Sequence, residues 1–287
     1  MKKFAFLSWA VVAALFFTAC GSSPKGYSVV DGVIVFDAPA RAEGQHSVLR
    51  LTTDPMPVVR VGFIGLGMRG PGAVERFTYL DGVEIKALCD LYPDRVEKSQ
   101  EILAGRNLPA AAAYSGEEGW KELCRRDDID LVYICTPWQL HVPMAVYAME
   151  HGKHVAVEVP AAMSLEECWQ LVDTAEKTQR HCMMLENCVY DFFELTTLNM
   201  AQHGLFGEII HTEGSYIHDL DPFWEHYQGN WRLDFNQSHR GDVYATHGLG
   251  PACQLLDIHR GDRMTRLVSM DTESINGLKT PKEKMGA

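Results

Sequence analysis

Residues 58–70 read Val58-Val59-Arg60-Val61-Gly62-Phe63-Ile64-Gly65-Leu66-Gly67-Met68-Arg69-Gly70, an apolar run that ends in spaced glycines. A short buried strand followed at once by G-x-G-x-x-G is the sequence form of a strand-to-helix turn around a pyrophosphate. Gly65 permits the tight turn, Gly67 lets the backbone approach the phosphates, and Gly70 lets helix and strand pack closely with the phosphates at the helix N-terminus. Asp90 closes the next apolar run, Val83–Cys89, 20 residues beyond Gly70. An acid there accepts hydrogen bonds from both ribose hydroxyls and repels a 2′-phosphate, which predicts NAD over NADP.

Working outward, further apolar runs follow at Leu131–Cys135, His154–Glu158 and His181–Leu185. Helical stretches lie between them. Pro143–His151 is one, and Leu165–Thr178 is another, opened by Ser164 with Glu167 three residues on in a capping box. Buried strands alternating with helices predict an α/β domain over residues 58–190, a doubly wound parallel sheet covered on both faces. The carboxyl ends of such strands face the ligand crevice. Thr136-Pro137-Trp138-Gln139-Leu140-His141 should therefore line the cofactor site, with His141 serving either there or as a helix cap.

After Tyr190 the pattern changes. Phe192–His203 reads as a helix ending at Gly204, and Ile209–Tyr216, rich in β-branched and aromatic residues, reads as a strand. Trp224, Tyr227, Trp231 and the histidines from His211 to His247 then fall in aromatic, polar loops that suit a site better than a core. Residues 191–287 are thus expected to be a partial α+β substrate-binding domain with a largely antiparallel sheet. His211, His218, Asp219, Asp221 and His226 carry ligand chemistry but no ligand spacing, so site lining is expected and no metal. Trp224 and Trp231 are suited equally to stacking on a sugar face and to covering a sheet edge.

The chain has 287 residues, 46% hydrophobic and 22% charged, with a net charge of -12. That excess repels phosphate backbones and no basic patch offsets it, so a nucleic-acid partner is excluded and a small neutral or cationic substrate is expected. Lys2 and Lys3 precede an apolar run, Phe4–Phe17, too short to span a bilayer. Residues 1–20 therefore read as a secretory signal. Thr18-Ala19-Cys20 resembles the lipobox of bacterial lipoproteins, with Phe17 where leucine is usual, and implies a lipid anchor to a bacterial membrane at Cys20. Residues 1–20 hold no twin arginine, so export by the general pathway is expected. Residues 21–57 read as a tether with edge strands in Tyr27–Phe36 and Ser47–Thr52. Of the seven other cysteines none forms a CxxC pair, so neither a zinc site nor a disulfide framework is indicated, and one or two bridges stay open.

The stretch Asp130 to Pro160, with Thr136-Pro137, His141, Gly152-Lys153-His154-Val155 and Glu158-Val159-Pro160, resembles the Gfo/Idh/MocA family of Rossmann dehydrogenases. Most of its sugar dehydrogenases carry lysine between the Glu and the Pro for proton transfer. This chain has Val159, which moves no proton. With Met68-Arg69, Glu186-Asn187, Gly214-Ser215-Tyr216, Trp231-Arg232 and Tyr244-Ala245-Thr246-His247, the departure resembles glycoside hydrolase family 109, whose members act on α-linked N-acetylgalactosamine. The resemblance implies NAD contacts from Met68, Arg69, Asp90, Trp138, Gln139, Leu140, His141, Glu158, Val159 and Asn187. It implies sugar contacts from Tyr216, Arg232, Tyr244, Ala245, Thr246 and His247.

The implied reaction is a closed redox cycle. Hydride leaves C3 of the sugar for NAD, the ketone acidifies the C2 proton, the glycosidic oxygen leaves by β-elimination, water adds, and the hydride returns. His247 is the expected proton-transfer group, assisted by Tyr244. Such a cycle suits an exported protein, because it needs no supply of free NAD. The alternatives are a sugar oxidoreductase and a truncated, non-catalytic sugar- or NAD-binding lipoprotein. Family members usually extend further, which implies a C-terminal truncation here. Homo-oligomerisation is left open.

Overall fold

The computed structural model describes residues 27–273 except Gly32, Asp37, Ala38, Asp221, Trp224, Glu225, His226, Gln228 and Arg240, together with Ile275, Lys279 and Glu283. Cys20 and the signal segment lie outside the described residues, as do Asp221, Trp224 and His226. Two strands, β1 (Tyr27–Val30) and β2 (Val33–Phe36), pair antiparallel in a small unit separate from Arg41–Met264.

In the larger unit, strands β3 (Val59–Ile64), β4 (Val83–Asp90), β5 (Ala112–Ser115), β6 (Leu131–Ile134), β7 (His154–Val157) and β8 (Cys182–Met184) form one parallel sheet. Their order is β5-β4-β3-β6-β7-β8. The chain winds outward from β3 to β5, then returns to start the other half at β6. The order therefore reverses between β3 and β6, and their carboxyl ends open the crevice that a dinucleotide occupies in such sheets.

Five helices cover the sheet: α1 (Gly70–Phe77), α2 (Pro93–Gly105), α3 (Gly119–Cys124), α4 (His141–Glu150) and α5 (Leu165–Thr178). Side chains alternate across a strand, so β3 sends Val61 and Phe63 into one core and Ile64 into the other. Phe63 is fully buried, stacked on Tyr133 and edge-on to Phe77, with both centroids 5.2 Å away. Gly62 faces the opposite core, where a Cβ would come within 2.8 Å of Leu123 Cδ2, so its missing side chain admits α3. The predicted capping box is present at α5, with the Ser164 hydroxyl accepting from the Glu167 amide at 3.1 Å.

The segment before β3 carries no strand at 47–52. It is strapped along α5 instead: Arg41 donates to both oxygens of Glu176 at 2.7 and 2.9 Å, and Gln45 donates to Asp173 at 2.8 Å. Its polar groups are spent on a helix rather than on a sheet edge.

Beyond β8 come α6 (Phe192–Gln202), α7 (Trp231–Ser238) and α8 (Ala245–Leu255). Ile209–Tyr216, expected as a strand, is without ladder pairing. Ile210 is 90% and Ile217 82% exposed. Residue preference gives an extended path, but a partner makes a strand, and none is found among the described residues. Antiparallel pairing among those residues is confined to β1 and β2. No helix among them is long and apolar enough to cross a membrane.

Candidate functional site

The glycine loop has the geometry its sequence predicts. Gly65 sits at φ +93°, where a Cβ would meet the Cys135 backbone at 2.7 Å. At Gly70 a Cβ would lie 2.0 Å from Gly65 O, so helix and turn close only on a glycine. Above Gly67 the nearest obstruction is Arg95 Nη1 at 3.4 Å, the far end of a mobile side chain, which leaves the backbone open to a phosphate. These three positions fit a dinucleotide.

Asp90 is only 5% exposed at the end of β4. Its Oδ2 accepts the Leu66 amide at 2.7 Å, and its Oδ1 accepts the Tyr92 amide at 3.0 Å with Arg95 at 3.4 Å. A carboxylate has about four acceptor sites and these donors take three, so about one remains for a ribose hydroxyl. The residue thus shapes the glycine loop itself. Met68 stands exposed on the loop. Arg69 is 3.5 Å from Glu158, which also accepts the Tyr133 hydroxyl at 2.9 Å. Val159 is buried beside this pair, before the cis Val159–Pro160 peptide.

His141 does not point into the crevice. It is 1% exposed, with Nδ1 2.7 Å from Pro160 O and Nε2 2.8 Å from Thr136 O. Burial holds its pKa below the ordinary histidine value, against the pull of those two carbonyls. Its part is to pin the Thr136–Pro137 turn to the Glu158–Pro160 turn, correcting the expectation of direct cofactor contact. Gln139, Leu140 and Asn187 are exposed.

Trp138 is the hub of an aromatic wall. Its buried ring is edge-on to Trp231 at 4.7 Å, Phe235 at 4.8 Å and Tyr244 at 5.3 Å. The Arg232 guanidinium lies 5.1 Å from the ring centroids of Trp138 and Trp231. Tyr244 continues the wall to Tyr216 at 5.5 Å, and both rings meet His247, Tyr216 at 4.5 Å and Tyr244 at 5.1 Å. Burial raises both phenol pKa values above the ordinary tyrosine value, with Arg232 opposing, so both stay protonated as donors. The fold therefore brings together Trp138, Tyr216, Arg232, Tyr244 and His247. Ala245 faces solvent, and Thr246 Oγ1 is buried without a hydrogen-bond partner.

His247 lies in the first turn of α8, and its Nδ1 is hydrogen-bonded to Glu186 Oε1. Both side chains are nearly buried, 9% and 7% exposed. A carboxylate on Nδ1 draws the ring proton there and leaves Nε2 with its lone pair, the form of a general base. Glu186 Oε1 also accepts the Cys188 amide at 3.2 Å. Glycines set this contact. A Cβ on Gly214 would lie 2.2 Å from Gly248 O, and one on Gly250 would lie 2.8 Å from Val189 Cγ2 and 3.2 Å from Glu186 Cγ. A cleft of about 260 Å³ opens beside His247, lined by Val189, Phe193, Thr212, Ser215 and Leu255 among others.

Glu186 and Cys188 were not singled out as site residues in the sequence. The signal for Glu186 was present: it follows β8, and carboxyl ends of parallel strands face the crevice. Nothing local marks its pairing with a residue 61 positions away.

Comparison with known proteins assigns both halves of the chain to families. Residues 59–186 match the family model of the oxidoreductase family with an NAD-binding Rossmann fold, and residues 190–286 match that of the glycosyl hydrolase 109 C-terminal domain. Glycosyl hydrolase family 109 protein 1 of Bacteroides fragilis is 69% identical over 240 residues, 83% of this chain and 52% of that protein. A glycosyl hydrolase family 109 protein of Porphyromonas gingivalis is 61% identical over 282 residues, 98% of this chain and 60% of that protein. The chain thus spans about half the length of the curated relatives it matches. Among solved structures, a Klebsiella pneumoniae protein assigned as an oxidoreductase matches with a TM-score of 0.53 at 22% identity, over 69% of this chain and 51% of that one, which shows the shared fold. Through its NAD-binding Rossmann domain and the glycosyl hydrolase 109 domain that follows, the chain belongs to the Gfo/Idh/MocA oxidoreductases of glycosyl hydrolase family 109.

Proposed function

We propose that this chain is the NAD-dependent part of a glycosidase that hydrolyses α-N-acetylgalactosaminides by transient oxidation at C3. The observation that carries the proposal is the Glu186–His247 pair, a proton-transfer group on the crevice of a fold whose usual lysine position holds buried Val159. NAD, when bound, supplies a reversible hydride acceptor. His247 Nε2 takes the proton of the C3 hydroxyl as that carbon is oxidised and returns it at re-reduction. The Glu186 carboxylate steadies the imidazolium in between. Tyr244, protonated and stacked on the imidazole, assists as a donor. Tyr216 and Arg232, the latter backed by buried Trp138, form the wall against which the sugar is oriented.

The test is cleavage of an α-N-acetylgalactosaminide in heavy water by the full-length protein with NAD. Release of sugar carrying deuterium at C2, without net NADH, supports the proposal. Steady NADH production with a ketosugar product moves the chain to the sugar oxidoreductases. Full activity after removal of NAD contradicts it. We extend the same proposal to location: Cys20 is the lipidated mature N-terminus of an exported protein. Mass spectrometry of the native protein checks this, and an unmodified N-terminus elsewhere refutes it.

A further inference from the structure

We propose that Glu186, Cys188 and His247 form a site for a divalent transition cation, zinc by the chemistry of its ligands. A carboxylate oxygen, a thiol sulfur and an imidazole nitrogen, one from each residue, all lie within 4.8 Å of one another. Nitrogen and sulfur with a single carboxylate suit zinc, whereas magnesium and calcium take oxygen ligands.

A second observation points to a cation. Glu186 is 6% exposed, and its Oε2 is buried with no hydrogen-bond partner, while Oε1 serves both His247 and the Cys188 amide. Buried carboxylate oxygens are normally satisfied, and a cation satisfies this one. Three protein ligands leave a fourth position open to water, as in a tetrahedral site with exchangeable access. Burial and the neighbouring Glu186 hold the Cys188 thiol protonated in the metal-free protein.

The protons balance simply. The Cys188 thiol proton leaves to solvent as sulfur ligates. The cation takes the Nδ1 lone pair, and the ring proton moves from Nδ1 to Nε2. His247 then has no free lone pair to act as a base. Occupancy of this site would stop proton transfer at the place where the glycosidase mechanism needs it. That inhibitory consequence rests on the proposed function; the site itself does not.

The test is titration of the NAD-loaded protein with cobalt(II) chloride, then with zinc chloride. We expect one cobalt per chain, with a thiolate-to-cobalt charge-transfer band in the near ultraviolet that stoichiometric zinc displaces. Cys188→Ser should abolish the band while NAD binding persists. Glu186→Gln should weaken zinc by roughly 100-fold or more, since even an outer-shell partner is worth 10- to 100-fold. A native protein with no such band, or a band unchanged in Cys188→Ser, overturns the site, and the first of these needs no variant. Zinc should slow glycoside cleavage with the midpoint of its binding, and cleavage indifferent to saturating zinc overturns the competition. A chain that cleaves no glycoside fails the functional proposal, while the cobalt spectrum still decides the site.

Discussion

Glu186 Oε1 is hydrogen-bonded to His247 Nδ1, joining the end of the last parallel strand to the first turn of α8. The carboxylate fixes which imidazole nitrogen carries the proton and compensates the charge when the other takes one. Under the proposed function, His247→Ala should therefore lower the turnover of α-N-acetylgalactosaminide cleavage by about 10²- to 10⁴-fold, the usual worth of a positioned acid–base group. Glu186→Gln keeps the shape and loses the charge. It should depress kcat more than KM. A Glu186→Gln enzyme with native kcat would show that the contact is only structural.

Asp90 holds the Leu66 amide at 2.7 Å inside the glycine loop. Asp90→Ala removes that acceptor together with the one left for the ribose, so NAD affinity should fall by about 1.5–3 kcal/mol, the range for a hydrogen bond to a charged group. Calorimetric titration measures this. Equal affinity of the unaltered protein for NAD and NADP would show that Asp90 does not discriminate.

His154 Nδ1 accepts the His181 amide at 3.0 Å and can do so only when unprotonated. Burial, then neighbouring His181 and Arg180, lower its pKa in the fold. The unfolded chain titrates this group near about 6.5, so below that pH the unfolded state binds more protons and stability falls with pH. The loss ends once pH passes the lowered folded value. Urea midpoints should decline below about pH 6.5 and be level above it. His154→Gln, which keeps an acceptor and does not titrate, should flatten the decline. An unchanged decline in that variant assigns it to other groups.

Gly214 meets Gly248 where a Cβ would lie 2.2 Å from a carbonyl oxygen. Backbone has to shift in Gly214→Ala, at a cost of about 1–3 kcal/mol, and the shift displaces the turn that follows His247. Activity should drop further than stability alone explains. Gly105 in α2 meets nothing within 4 Å, so Gly105→Ala should be neutral or stabilising by up to about 1 kcal/mol. Thermal melts and cleavage rates of the pair separate close approach from mere loss of glycine. Equal behaviour of the two would remove the packing explanation.

What the sequence determined by itself is local chemistry: the turn at Gly65, Gly67 and Gly70, the acid ending β4, the capping box at Ser164, and the strand–helix alternation that makes the sheet parallel. These were legible because each depends on residues within one turn or one strand of each other. The path of Ile209–Tyr216 was not, since β preference needs a partner strand and the described residues supply none. His141 read as a crevice residue, yet two carbonyl oxygens on separate turns draw it inside. Only the tertiary structure decided that Glu186, Cys188 and His247 converge. Their contact depends on α8 docking through Gly214, Gly248 and Gly250, and a contact made by docking across 61 residues leaves no spacing for the sequence to display.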